Sequence, residues 1–484
     1  MMFIKSKLIV IAVGVNLIFC LTMNVFANSS VPTVGFFPNT FPRDPVKVDI
    51  FLEHVLLAQI LEPLVESTSD GNISPAVAAK WTISADSRKI EFTLKQNIKF
   101  SNGIEVKADD VKYSIERHLN SHSQSSVFLQ KIKAINIKTP EKLEIELFNP
   151  YVAVFKALSR DQLGIVPKNW KFDSKSKEPF IGTGPYRAIK SEKGWKLTLN
   201  PYYHDKETVQ IPEWIPIFYD PKVPNYEEIE IPDLMPYLRP EAMRALEKRS
   251  DNPLHVRTRI NHFTQLSAWW FEDGSNVSNK DFKIKTMTAI RALLDVRREK
   301  LGFRKATGVI PEGILGYLPE SPGPIPANVF LNTPLISVKV AIQGTDMGMI
   351  KDPIDVSEIE KKYRVKFDFV SYAISEWDRL KDIKPDVVLY SFAGGFYDPE
   401  GFLVVLSPDL AAFFGSDYEK YVKASSETNW GKRAGLYQEL GSALVQNYVM
   451  VPAWKLEIVS LNQPNLVRNE SLSYTPKLKE YRYK

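Results

Sequence analysis

The sequence predicts an α/β protein whose second half holds a parallel, doubly wound sheet, and three observations point there. Val338 to Ile342 is apolar and β-branched, Pro353 to Tyr363 sets Val356 and Ile359 on one helix face, and Val365 to Val370 alternates. Ser375 to Lys384 then reads as a short helix with Trp377 and Leu380, and Asp386 to Tyr390 is apolar again. Strand, helix, strand, helix, strand is the pattern of such a sheet. The second observation is the stretch from Ile60 to Leu119, which runs through strand, turn and helix periods in a fixed order. The third is length: 484 residues allow roughly two to four domain-sized units.

Taken in order, Val31 to Phe36 reads as a strand and Val46 to Ile60 as a helix with Ile50, Leu52, Val55, Leu56 and Ile60 on its apolar face. Ser69-Asp70-Gly71-Asn72 makes a turn of residues that tolerate the left-handed region. Ile90, Phe92 and Leu94 alternate with Glu91, Thr93 and Lys95, the period of a half-buried strand. From Ala108 a helix opens with Asp109 and Asp110 in its first turn, where carboxylates suit the dipole, and Val111, Ile115 and Leu119 follow at four-residue spacing.

Ile132 to Ile137 and Leu143 to Leu147 pair around Pro140, and a helix follows from Phe148 to Leu158. In Ile181-Gly182-Thr183-Gly184-Pro185-Tyr186 the two glycines allow a tight backbone approach. Trp195, Leu197 and Leu199 alternate, Arg239 to Lys248 is a short helix, and Asn279 to Leu301 is a long one. Gly431 to Tyr448 is helical with Leu436, Leu440, Leu444 and Tyr448 on one stripe, Val449 to Trp454 returns as a strand, and the Lys- and Tyr-rich tail is expected on the surface.

The amino terminus stands apart. Lys5 and Lys7 precede an apolar run from Leu8 to Met23, and Val25-Phe26-Ala27 offers a cleavage site, the three-part layout of a secretory signal peptide. Cleavage is expected after Ala27. Cys20 is the only cysteine, and Phe19 before it argues against a lipid anchor. The mature chain then has no disulfide and no cysteine metal site. Loss of Lys5 and Lys7 lowers the formal charge from +5 to +3, with no dominant basic tract, so nucleic acid is not an expected partner. A soluble, unlipidated exported product is expected.

Catalytic constellations are missing. There is no G-x-S-x-G elbow, no G-x-x-x-x-G-K-[ST] and no H-E-x-x-H, so neither an enzyme nor a cofactor is expected. His118 and His122 have the spacing to meet on a helix face, but Asn120 and Ser121 suggest that the helix ends there, which favours a solvated helix end over a metal site. In a doubly wound sheet the ligand crevice lies outside the carboxyl ends of the strands, so the segment after Tyr390 should face a ligand. Phe392, Gly394, Gly395, Phe396 and Tyr397 make a strand-end loop of glycines and aromatics, suited to stacking and backbone hydrogen bonds.

Several of these pieces resemble, in order, the extracellular solute-binding proteins of family 5, the oligopeptide-, dipeptide- and nickel-binding proteins of ABC importers. The residues that carry the resemblance are Glu62 to Val65, Asp70-Gly71, Pro75 to Trp81, Ile98 to Gly103, Ala108 with Asp110-Val111, Gly164 to Pro167, Gly182 to Tyr186, Asn200 to Tyr203, and Asp398-Pro399 with Phe402-Leu403. Lys107 stands where relatives carry a capping Thr or Ser. The resemblance implies the two-lobe periplasmic binding protein fold, type II, of the large cluster with an extra subdomain in lobe I, its lobes joined by crossing strands. Lobe I would comprise residues 28–265 with 451–484, including an inserted subdomain at about 46–170, and lobe II residues 266–450. It also implies a monomer that binds a peptide or peptide-like small solute and hands it to an ABC permease in the inner membrane.

Two departures bear on the solute. Peptide-binding relatives place an aspartate for the peptide ammonium where this chain has Gly395. Trp269 and Trp270 fall on a strand that crosses between lobes in relatives, and they read either as an exposed binding platform or as packed side chains. An exported protein that kept the fold as a chaperone, sensor partner or scaffold is the alternative reading.

Overall fold

The computed structural model describes residues 31–36, 41–48, 51–68, 71–121, 124–219, 228–238, 240–252, 256–271, 279–320, 333–344, 347–372, 379–393, 398–404, 411, 414–469 and 475–484. The expected leader with Cys20 lies outside them, as does His122. In chain order the strands are β1 (Thr33–Phe36), β2 (Val65–Ser67), β3 (Ile73–Pro75), β4 (Ala78–Ile83), β5 (Lys89–Leu94), β6 (Ile132–Thr139), β7 (Lys142–Leu147), β8 (Tyr186–Ser191), β9 (Gly194–Leu199) and β10 (Glu213–Phe218). They continue as β11 (Leu234–Leu238), β12 (Val256–Trp270), β13 (Arg304–Lys305), β14 (Ile336–Gln343), β15 (Val365–Tyr372), β16 (Val387–Ala393), β17 (Met450–Asn462), β18 (Leu466–Arg468) and β19 (Tyr481–Tyr483).

One large sheet runs in the order β15-β14-β16-β12-β17-β11-β1-β10-β9-β8. β14 lies between β15 and β16 and is parallel to both, as the strand and helix alternation predicts. Val338, Val340 and Ile342 make one apolar face, while Ser337, Lys339, Ala341 and Gln343 alternate onto the other. Val338, Val340 and Ile342 pack with Ile290, Leu293 and Leu294 of the helix Lys280–Leu301 and with Ile359 and Tyr363 of the helix Pro353–Tyr363. Ala341 and Val388 join a different cluster on the opposite face. The Pro353–Tyr363 helix begins where it should: Asp352 Oδ1 accepts from the N–H groups of Ile354 and Asp355, and Pro353 occupies the first turn.

The sheet is nevertheless mixed. β12 and β17 run antiparallel to each other, and β12 is antiparallel to β16. These two long strands pair from Val256 opposite Asn462 to Trp269 opposite Met450, with register shifts between Ile260 and Thr264 and between Leu266 and Ser267. The later part of β12, Thr264 to Trp270, pairs with β16, while the later part of β17, Val459 to Asn462, pairs with β11. The chain therefore passes twice between a first half, built on β1 and β8–β11, and a second half, built on β14–β16.

A separate antiparallel sheet, β4-β5-β7-β6, hangs on the first half. Ile90, Phe92, Leu94, Leu143, Ile145 and Leu147 all face its buried side, together with Val111 and Ile115 of the helix Ala108–Leu119. The Lys107 N–H donates to Asp110 Oδ2 at 2.7 Å, so the helix start is held by a carboxylate in its first turn and not by the residue before it. Gly182 and Gly184 are required by the backbone approach that the sequence suggests: a Cβ on Gly184 would lie 2.5 Å from the Ile60 carbonyl carbon, and the Gly184 N–H donates to Ile60 O at 3.0 Å.

Several elements differ from expectation. The helix expected over 46–60 is reduced to Phe51–Leu57 after a short 3-10 turn, and that over 148–158 to Val154–Ala157. Ile165 and Val166 form no ladder, because their N–H groups go to Glu62 O and Ser114 Oγ. The helix Trp430–Gln446 buries Leu440 and Leu444 of the expected stripe, with Leu436 and Tyr448 half-buried, and adds Arg433 and Tyr437, which the stripe did not include. The tail is buried, not superficial: Leu478 and Tyr481 lie in the core of the first half, and Gln59 holds the Pro476 carbonyl and the Leu478 N–H.

Candidate functional site

β16 ends at Ala393, on the carboxyl edge of the parallel strands. Phe392 lies on that strand opposite Gln265, and Ala393 lies opposite Thr264. Gly394, Gly395, Phe396 and Tyr397 fall outside the described residues, as does the side chain of Phe392. At the same edge Gln343 stands opposite Tyr372 in the β14–β15 pairing. The Gln343 Oε1 is buried without a hydrogen-bond partner, a polar group at the strand end that nothing in the sequence singled out. Gln265 is buried and donates to Ser267 Oγ at 3.1 Å and to Gly308 O at 2.8 Å, which fastens β12 beside the end of β16.

The tryptophans are elsewhere. Antiparallel register sets Trp269 opposite Val388 and Trp270 opposite Val387, at the start of β16, about 20 Å from the end of that strand at Ala393 at 3.3–3.4 Å per residue. Both are buried, at 2% and 1% exposure, so the platform reading is corrected and the packed one holds. Neighbouring strand residues point to opposite faces. Trp269 accordingly joins the cluster with Val388 and Met450, and Trp270 packs with Leu389 and Leu294. The Trp270 ring lies edge-on to Phe282 and under the Lys283 ammonium, 5.6 Å from the ring centroid.

Immediately after the loop the chain builds a buried polar network. Arg433 donates through Nη1 to Asp398 Oδ2 at 2.7 Å and through Nη2 to Asp398 Oδ1 at 2.8 Å, the two-pronged geometry that guanidinium and carboxylate share. Asp398 Oδ1 also accepts from the Glu400 N–H at 3.0 Å. Glu400 accepts from the hydroxyls of Tyr437, Tyr421 and Tyr151, the last two at 2.7 and 3.4 Å. Burial, reinforced by Asp398, pushes the Glu400 carboxyl above its usual range, and burial followed by the Glu400 charge raises all three phenols well above theirs. For Arg433, burial opposes the cation and Asp398 more than offsets it. Sequence reading flagged Asp398 only as part of a motif. The four-residue spacing of Arg433 and Tyr437 on one helix was the available signal for the rest.

Comparison with known proteins places this arrangement. Residues 72–231 match the model for bacterial extracellular solute-binding proteins, family 5 Middle. The dipeptide-binding protein DppE of Bacillus subtilis (strain 168) is 28% identical over 180 residues, 32% of this chain and 33% of its own length. The periplasmic murein peptide-binding protein MppA of Escherichia coli (strain K12) is 24% identical over 465 residues, 85% of each chain. Over residues 72–231, about a third of its length, the chain is similar to family 5 of the extracellular solute-binding proteins. Its match to DppE spans about a third of that protein's length. Haemophilus influenzae OppA, solved in complex with RPPGFSPFR, superposes on 94% of this chain and 99% of its own, with a TM-score of 0.72 at 17% identity. That likeness is one of fold: the chain has the two-lobe fold of periplasmic binding proteins, its halves joined by β12 and β17.

His118 is buried, not solvated. Burial, then the neighbouring Arg117 charge, lowers its pKa to about 3. Among the described residues no group of three or more His, Cys, Asp or Glu side chains is arranged to hold a metal ion, and no helix is long and apolar enough to cross a membrane.

Proposed function

We propose that this protein is the periplasmic substrate-binding component of an ABC importer, taking a peptide or peptide-like small solute between its two lobes and delivering it to a permease of the inner membrane. The observation that carries the reading is the pair of strands β12 and β17, which link the two halves of the chain and leave the carboxyl edge of β16 at the junction. The relatives named for dipeptides and murein peptides support the solute class. In this reading lobe I is residues 28–265 with 451–484, including the subdomain at about 46–170, and lobe II is residues 266–450. Phe392, Gly394, Gly395, Phe396 and Tyr397 contact the solute by stacking and backbone hydrogen bonds. With Gly395 in place of a carboxylate, the solute's amino end is recognised by neutral groups or is absent. The protein acts as a monomer without catalysis, and it reaches the periplasm after cleavage behind Ala27.

Native mass spectrometry of the mature protein released from a periplasm tests the proposal. Adducts in the mass range of short peptides, or one discrete adduct of a dedicated solute, are the expected results. No adduct, together with no thermal shift across a panel of peptides, overturns it.

A further inference from the structure

Tyr151 belongs to the first half, four residues beyond the end of β7, yet the charged groups that act on its phenol are Glu400, Asp398 and Arg433, all of the second half. It is buried there, and its hydroxyl donates to Glu400 Oε2 at 3.4 Å. The apolar surroundings are shared too: the core of the four-stranded sheet, Tyr151, Phe402 and Leu403 form one cluster. Glu400 is fully buried. Its neighbour Asp398 has both prongs of Arg433, whereas Glu400 is met by the hydroxyls of Tyr421, Tyr437 and Tyr151. A carboxylate removed from water without a cation depends on each hydrogen bond it receives. Two of the three come from its own half. The third is the only one that separation of the halves would remove.

We propose that Tyr151 is a positioning residue for lobe closure: its hydroxyl completes the Glu400 network when the halves meet and holds them together over the solute. On opening, water takes its place at Glu400, and on closure the phenol displaces that water. Such a contact adds to the free-energy difference between the open and closed forms without touching the solute. Glu400 lies three residues beyond Tyr397, so one short segment carries both the solute loop and the acceptor of the closing contact. This inference rests on the clamp-like function proposed above.

The test uses the mature chain, whose only cysteine is removed with the leader. Spin labels on Lys133→Cys and Lys366→Cys, both more than half exposed and one in each half, report the distance between halves by double electron–electron resonance. An equimolar tripeptide library serves as the probe solute. Tyr151→Phe keeps the ring and removes the hydroxyl. We expect its closed-to-open ratio, with and without the library, to fall by roughly two- to tenfold, the range of one ordinary hydrogen bond, while the melting temperature stays near that of the parent. A distance that moves with the library but is the same in Tyr151→Phe and parent overturns the latch and leaves the clamp standing. One fixed distance in both proteins under both conditions overturns the clamp and the latch together.

Discussion

Arg433 and Asp398 form a two-pronged ion pair, at 2.7 and 2.8 Å, with each side chain only 1% exposed. The pair ties the helix Trp430–Gln446 to the segment Asp398–Val404. Removing one member of such a pair strands the other charge in a low-dielectric interior, whereas replacing both removes the problem. Arg433→Leu is therefore expected to cost about 3–5 kcal/mol, and the double variant Arg433→Leu with Asp398→Leu clearly less. Urea denaturation of the three proteins checks this; equal losses in the single and double variants would contradict the account.

Gly184 and Gly435 should respond to alanine with opposite sign. A Cβ at Gly184 would sit 2.5 and 2.6 Å from the Ile60 carbonyl carbon and oxygen, so backbone must move, at a cost of about 1–3 kcal/mol or more. Gly435 is inside a helix with nothing within 4 Å of an added Cβ, and Gly435→Ala should gain about 0.5–1 kcal/mol. Thermal unfolding of the two single variants measures both.

Trp269→Ala and Trp270→Ala should act on stability alone, each losing about 3–5 kcal/mol by opening a core cavity. Tyr397→Ala should do the reverse, weakening binding of the protein's own solute by roughly tenfold or more, as loss of an aromatic anchor does, with an unchanged melt. Calorimetric titration with the solute found by mass spectrometry separates the cases, and unaltered affinity in Tyr397→Ala would remove that residue from the site.

His118 and Asp161 should give opposite pH dependences. The His118 pKa is about 3 in the fold and 6.5 as the free side chain, so the unfolded chain binds the extra proton between those values and stability falls as pH drops from 6.5. His118→Leu should flatten that fall. For Asp161, burial is the leading cause of a rise from 3.8 to about 6, partly offset by Lys477, so its contribution is full below 3.8 and fades as pH rises through about 6. Asp161→Asn should then steepen the acid-side loss. Melting temperatures from pH 4 to 7.5 read both slopes.

Local order was legible because it is written in spacing. The alternation of Ile90, Phe92 and Leu94 and the apolar runs Val338–Ile342 and Asp386–Tyr390 each report burial within one element, and those elements formed as β5, β14 and β16. Asn279 and Gly302 likewise bracket their helix by cap and left-handed turn. The ordered motifs were enough to show the resemblance to family 5 that the match over residues 72–231 supports, because each depends on residues close in the chain. Spacing cannot say which distant element an element meets. The β12–β16 register decided that Trp269 and Trp270 lie a strand's length from the end of β16 at Ala393 and inside the core. Tyr151 with Glu400, Asp398 with Arg433, and the buried tail of Leu478 and Tyr481 on Gln59 are likewise products of tertiary structure. Their partners lie 249, 35 and 419 residues apart, and only the closed hydrophobic core, by excluding water, makes such polar contacts worth forming.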